Sequence, residues 1–254
     1  MLKDKVVILT GAAGGIGSVT AEMLVKNHAK VVLCDLNKEK LLALQAELET
    51  LGGQCEIFAG DVTNYDAMLE MAKQTVEKFG KIDVMVNNAG GSAALINKIS
   101  SFEDAELDTM HFVMDLNIFG TIHCIKAVLP YMKEQKDGRI INFSSIAGVA
   151  GLVTRADYSA AKGAIISLTK ALAMELGKYN ITVNCISPGM IYRGKNRNPE
   201  IPYAPGSTYV GPLGEGGNAE DVGAAVVFLA SDSAKFITGD NLMVDGGRTL
   251  GPRN

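Results

Sequence analysis

The chain has 254 residues, 47 % of them apolar, which is ample for one sizeable core. Its formal net charge of −4, with no run of basic residues, excludes a nucleic-acid-binding footprint. No stretch reads as long and apolar enough to cross a membrane, and residues 6–9 run straight into a glycine turn rather than a signal peptide.

Cys34, Cys55, Cys124 and Cys185 have no C-x-x-C spacing and lie within or beside apolar runs, so they read as reduced core thiols of a cytoplasmic protein, with no disulfide and no metal site. His28, His111 and His123 are scattered and read as structural.

Short β-branched runs alternate with helical patterns along the whole chain. Strands are expected at residues 5–10, 30–35, 54–60, 82–87, 139–144, 182–187 and 241–244. Amphipathic helices are expected at 15–27, 38–51, 64–79, 102–136, 156–178 and 219–230. Strands such as Val6-Val7-Ile8-Leu9 are apolar on both faces, as required when helices cover both sides of a parallel sheet. The β-α-β alternation gives a doubly wound α/β fold. No linker or repeat interrupts it, so residues 1–254 read as one domain. Residues 190–214 break the pattern, with four of the seven prolines and no apolar period; their place directly after a strand reads as a substrate lid.

After the first strand comes Thr10-Gly11-Ala12-Ala13-Gly14-Gly15-Ile16-Gly17. Glycines there let the backbone turn tightly and approach a pyrophosphate, which the following helix N-terminus favours. Asp35 ends the second strand, eighteen residues beyond Gly17, where a carboxylate accepts from adenosine ribose hydroxyls and repels a 2′-phosphate. Neither Gly14 nor Leu36 offers a cation to offset that repulsion, which selects NAD over NADP. Asp61 can bond adenine and Val62 can pack on its face. Asn87-Asn88-Ala89-Gly90 closes the fourth strand with small residues where a cofactor must pass close to the backbone.

In the second half, Tyr158 and Lys162 stand four apart, one helical turn, so hydroxyl and ammonium share a face. A nearby cation favours the phenolate, which suits the tyrosine to proton transfer with an alcohol. The spacing alone is weak: seven tyrosines and eighteen lysines give about half a chance occurrence. Ser145 follows the fifth strand, thirteen residues before Tyr158, on the edge facing a ligand crevice, where its hydroxyl can hold a carbonyl or alcohol oxygen. Ser144 is its less favoured neighbour. Asn117 lies inside an expected helix, where its amide can bind a water or bend the helix.

Taken together, in order and at these spacings, these motifs resemble those of the short-chain dehydrogenases/reductases of the compact, single-domain branch. The resemblance spans nearly the whole chain and includes Thr10-Gly11-x-x-x-Gly15-x-Gly17, Asp61, Asn87-Asn88-Ala89-Gly90, Asn117, Ser145, Tyr158-x-x-x-Lys162, Asn184, Pro188-Gly189 and Asp245-Gly246-Gly247. It implies a seven-stranded Rossmann-type parallel sheet ordered 3-2-1-4-5-6-7. It also implies NAD-dependent interconversion of a secondary alcohol and a ketone, and a homo-oligomer, tetramer rather than dimer. Tyr158 would be the acid/base, Ser145 the substrate-oxygen donor, Lys162 the ligand of the nicotinamide ribose that lowers the tyrosine pKa, and Asn117 the holder of a water in the proton relay. Gly11, Gly15, Ile16, Gly17, Asp35, Asp61, Val62, Asn88, Ala89, Gly90, Tyr158, Lys162, Pro188 and Gly189 would contact NAD.

The chain departs from the family at Arg193, five residues after Pro188, where a threonine is common. Arg193, Lys195, Arg197 and Arg155 could clamp an anionic substrate or form a solvated, charged lid. Gly90-Gly91-Ser92-Ala93-Ala94 suggests an open pocket wall. Hydroxysteroids, 3-hydroxyacyl thioesters and polyols are the expected substrate types. The alternative is a non-catalytic dinucleotide-binding sensor or structural module.

Overall fold

Val6, Val7, Ile8 and Leu9 of strand β1 (Val6–Thr10) are all fully buried, because both faces of the strand are covered. In this computed structural model, which describes residues 1–192, 211–213 and 216–251, β1 sits inside a seven-stranded parallel sheet. The other strands are β2 (Lys30–Asp35), β3 (Gln54–Ala59), β4 (Val84–Asn87), β5 (Gly138–Phe143), β6 (Ile181–Pro188) and β7 (Asn241–Val244). They lie in the order 3-2-1-4-5-6-7, as the family resemblance implies. The direction of winding reverses between β1 and β4, and a crevice opens there beyond the carboxyl ends of the strands.

The two-residue period of each strand divides the core into two layers. Val7 and Leu9 pack with α1 (Gly15–Lys26), α2 (Lys38–Thr50) and α8 (Ala219–Ala230). Ile8 between them packs on the opposite side with α3 (Tyr65–Phe79), α5 (Gly120–Gln135) and α7 (Ala156–Leu176). Helix starts are fixed locally: Asn37 and Asn64 accept from Lys40 N and Ala67 N at 2.9 and 3.1 Å, each such cap worth roughly 1 kcal/mol.

Two expectations need correction and one gap is filled. The helix expected over 102–136 begins at Leu107, and comprises α4 (Leu107–Met114), a π-helical turn at Asp115–Phe119, and α5. The cause of the turn is Asn117, whose amide donates to the Val113 carbonyl at 2.8 Å, while Gly120 N reaches back to Asp115 O. Residues 146–150, which fall between the expected strand at 139–144 and helix at 156–178, form the short helix α6 (Ile146–Ala150). Finally, the run Leu107–Gln135 does pass as long and apolar enough to cross a membrane, by length and composition. Yet 44 % of its most apolar 18-residue stretch is buried, with Cys124, Val128 and Met132 in the core layer beside α3, so its apolar face is that of a core helix.

The segment expected to form a lid, 190–214, lies mostly outside the described residues, and Arg193, Lys195 and Arg197 lie wholly outside them. At its flanks Ile191–Tyr192 pairs in parallel with Gly217–Asn218, a two-residue ladder absent from the sequence reading.

Candidate active site

The crevice at the switch point is a cleft of about 570 Å³. The glycine turn shapes one end. Gly11 has φ 62°, and a Cβ there would come within 2.9 Å of the Ala89 Cα; a Cβ at Gly17 would overlap the Gly11 carbonyl oxygen. The turn is tied to β4 from the other side: Asn88 Nδ2 donates to Thr10 O and Gly11 O at 2.9 and 3.0 Å, and Ala89 N donates to Thr10 Oγ1 at 3.0 Å. Asp35 Oδ2 accepts from Ala13 N and Oδ1 from Asn37 N, both at 3.1 Å, which holds the carboxylate at the rim of the turn. Asp61 and Val62 line the cleft wall. Val62 O is held by His123 Nδ1 at 3.1 Å, and a Cβ at Gly120 would press on Val62 Cγ2 at 2.7 Å.

At the other end stand Ser145, Tyr158 and Lys162. Ser145 Oγ caps α6, accepting from Ala147 N at 3.1 Å, whereas Ser144 Oγ is buried and donates to Lys162 O at 2.8 Å. The neighbours thus divide their work: Ser144 fixes the helix, and Ser145 faces the cleft. Helix α6 rests directly on α7, since a Cβ at Gly148 would lie 2.5 Å from the Lys162 carbonyl carbon. That contact brings Ser145 and Tyr158 to one wall. Lys162 is 3 % exposed; its Nζ lies 5.7 Å from the Tyr158 ring centre and donates to Phe143 O at 2.8 Å. Burial draws the Lys162 ammonium down to about 8, against an upward pull from Cys185.

Asn117 does not line the cleft; it is fully buried behind it. Its amide donates to Gly91 O and Val113 O, both at 2.8 Å, and accepts from Gly91 N at 3.1 Å. The side-chain amide that sequence offers to a relay water is therefore committed to the loop after β4. A Cβ at Gly90 would meet both Asn117 Oδ1 at 2.6 Å and Lys162 Nζ at 3.0 Å, so only glycine fits between them. Arg155 also lies off the cleft lining, its guanidinium folded onto Thr154 O at 2.9 Å.

Pro188 and Gly189 complete the cleft beside β7, with Gly189 N donating to Val244 O at 2.9 Å. Asp245, just beyond, accepts from Thr249 N, Thr249 Oγ1 and Gly247 N. Burial alone would raise its carboxyl, but the Thr249 and Gly247 donors outweigh that and hold it below the usual carboxylate range. Asn184 is likewise structural, bridging Ile237 O and Asp240 N. Cleft residues that sequence reasoning missed include Leu95, in a 3-10 turn after β4, Leu116, in the π-helical turn, and Met190, just after β6, apolar side chains that share the cleft lining with Tyr158. Burial pushes the Cys34 and Cys55 thiols up to about 12, which makes them unreactive.

A family model described as enoyl-(acyl carrier protein) reductase matches residues 11–249. The chain is 36 % identical over 253 residues to a 3-oxoacyl-[acyl-carrier-protein] reductase of Thermotoga maritima, covering 98 % of this chain and 99 % of that one. It is 35 % identical over 252 residues to a 7alpha-hydroxysteroid dehydrogenase of Bacteroides fragilis, covering 98 % and 95 %. Among solved structures it superposes on an NAD+-bound xylitol dehydrogenase with TM-score 0.89, at 33 % identity, over 97 % of this chain and 99 % of the other.

Proposed function

This chain belongs to the short-chain dehydrogenase/reductase family, and we propose that within it the protein is an NAD-dependent oxidoreductase that interconverts a secondary alcohol and a ketone. One observation carries the reading: a backbone-lined turn and an unaccompanied carboxylate at one end of a single cleft, with Ser145, Tyr158 and Lys162 at the other.

The cleft fits a dinucleotide on its own geometry. Gly11, Gly17 and Gly90 let the backbone close up where a Cβ would strike neighbouring protein atoms, and the amides of the turn open α1 at the cleft. Gly15, Ile16, Asn88, Ala89, Pro188 and Gly189 would line the same molecule, with Asp61 and Val62 at its adenine and Lys162 at its second ribose. Asp35 would take the adenosine ribose hydroxyls. Among the described lining residues Lys162 is the one lysine or arginine, so no cation stands at Asp35 to receive a 2′-phosphate, which favours NAD over NADP. When bound, NAD supplies or accepts the hydride.

The chain's own residues handle the oxygen and its proton. Ser145 holds the substrate oxygen by a hydrogen bond and offsets charge that develops there. Tyr158 gives the proton to that oxygen in reduction and takes it in oxidation. Lys162, held beside the ring by Phe143 O, keeps positive charge next to the phenol and favours its ionised form. Asn117 fixes Gly91, and with it the Gly90 backbone that lies against Lys162. The related proteins act on acyl-carrier thioesters, a hydroxysteroid and a polyol, as their names state, and the apolar Leu95, Leu116 and Met190 favour the first two types here.

We further infer a cytoplasmic homo-oligomer, a tetramer rather than a dimer. Four reduced thiols support the compartment, and the exposed apolar Leu107, Phe119, Met174 and Phe236 support the assembly.

The test is NADH formation, followed at about 340 nm with NADP in parallel, across secondary alcohols spanning steroids, hydroxyacyl thioesters, polyols and hydroxy acids. Turnover with NAD and one class is expected. Silence across the panel with NADH still bound would instead support a non-catalytic dinucleotide-binding module.

A further inference from the structure

Asn142 and Phe143 of β5, and Ser144 just beyond its end, each make a hydrogen bond to α7, the helix that carries Tyr158 and Lys162. Asn142 Nδ2 donates to Thr169 Oγ1 at 2.9 Å, Phe143 O accepts from Lys162 Nζ at 2.8 Å, and Ser144 Oγ donates to Lys162 O at 2.8 Å. Asn142 and Ser144 point to the same face because strand side chains repeat every second residue. Lys162 and Thr169 stand two helical turns apart and so meet that face together. Asn142 and Thr169 are both fully buried, and Ser144 is 3 % exposed.

The chain of bonds continues across the sheet. Asn87 Nδ2, at the end of β4, donates to Asn142 Oδ1 at 2.9 Å, where the two residues are direct register partners. The next residues along that strand are Asn88, Ala89 and Gly90, which line the cofactor half of the cleft.

Apolar packing alone leaves a helix free to roll or slide slightly on a sheet, because methyl and methylene contacts carry no direction. Directional bonds at 142, 143 and 144 remove that freedom. We propose that Asn142 and Thr169 are positioning residues for catalysis: with Ser144 they set the roll of α7 on β5, and so the placement of Lys162 and Tyr158 relative to the cofactor strand. This rests on the oxidoreductase reading given above. Neither Asn142 nor Thr169 lines the cleft; they act through α7, which carries Lys162 and Tyr158.

The experiment compares wild type with Thr169→Val, which keeps shape and removes the acceptor, Thr169→Ser, which restores it, and Ser144→Ala, which cuts only the second bond. Two readouts are used. The first is steady-state kinetics with NAD and the alcohol found active. The second is the ionisation of Tyr158, taken as the phenolate absorbance near about 295 nm minus that of the matching Tyr158→Phe protein, which needs no turnover. Thr169→Val is expected to lower kcat by about tenfold or more, with KM for NAD within about twofold, and to move the Tyr158 titration to higher pH. Thr169→Ser returns both, and Ser144→Ala moves both in the same direction, which keeps the test intact should Thr169→Val fold poorly. A Thr169→Val or Ser144→Ala protein that loses only thermal stability, with kcat and the Tyr158 titration unchanged, would overturn the proposal. A wild type that oxidises no alcohol would refute the oxidoreductase reading, and the Tyr158 titration alone would then decide the positioning role.

Discussion

The Lys162 ammonium lies 5.7 Å from the centre of the Tyr158 ring, yet its hydrogen bond runs the other way, to the carbonyl of Phe143 at 2.8 Å. The cation is thus fixed by the strand before it acts on the phenol. With Tyr158 as the proposed acid/base, Tyr158→Phe should lower kcat by roughly 10²–10⁴-fold. NADH affinity should stay within a few-fold of wild type, since the ring remains. Fluorescence titration of NADH beside the 340 nm assay measures both, and a Phe variant with wild-type turnover would remove Tyr158 from the mechanism.

The same lysine makes a prediction about stability. Burial draws its pKa from 10.5 to about 8, so between those values the unfolded chain binds the proton and the folded protein does not. The penalty of burying the charge is fully present below pH 8 and is relieved as pH rises toward 10.5. Stability of the cofactor-free wild type should therefore rise across that window relative to Lys162→Met, by about 3 kcal/mol in total. Urea unfolding of both proteins at a series of pH values checks the slope; parallel curves would show that Lys162 stays charged when folded.

Gly17 faces the Gly11 carbonyl so closely that an added methyl has no room. Backbone, not a flexible side chain, is what it would strike. Gly17→Ala should cost roughly 1–3 kcal/mol of stability and at least about tenfold in NADH affinity, because the turn must open to accept it. Gly52→Ala is the control: its φ is 79° but no atom lies within 4 Å of the added Cβ, so it should lose some stability and no affinity.

Cofactor choice should follow the charge at the end of β2. Leu36 is 68 % exposed, leaving an arginine free to reach a phosphate. Asp35→Ser with Leu36→Arg should shift the NADP-over-NAD ratio of kcat/KM upward by about 10–100-fold, the worth of one charge-assisted bond together with relief of repulsion. Serine keeps a short acceptor for Ala13 N and Asn37 N, which Asp35 now serves. An unchanged ratio would place the selectivity elsewhere in the cleft.

The sheet was legible because its strands carry apolar residues on both faces and alternate with helices of 3.6-residue period. Those are local signals, and they located every strand of the sheet to within one or two residues. The cleft lining was equally legible wherever one residue type is demanded, as at Gly11, Gly17 and Asp35. What stayed hidden depends on partners far along the chain. Asn117 could serve a water, a bend or a loop, and only the fold brings Gly91 to it. Helix α6, at Ile146–Ala150, is too short to show a period and exists because Ser145 caps it and Gly148 lets it lie on α7. The side chains of Asn142 and Thr169 gave no motif at all, since twenty-seven residues separate them.

The bond from Lys162 to Phe143 has an acceptor that belongs to the main chain. Every amino acid at 143 would present the same oxygen, so no side-chain substitution deletes it, and an alanine scan would pass over it. The Phe143 side chain packs in the core, so substitutions there report on packing while the lysine keeps its partner. Only a change in the peptide link itself, such as replacing the following amide by an ester to weaken the carbonyl as an acceptor, would reach this contact.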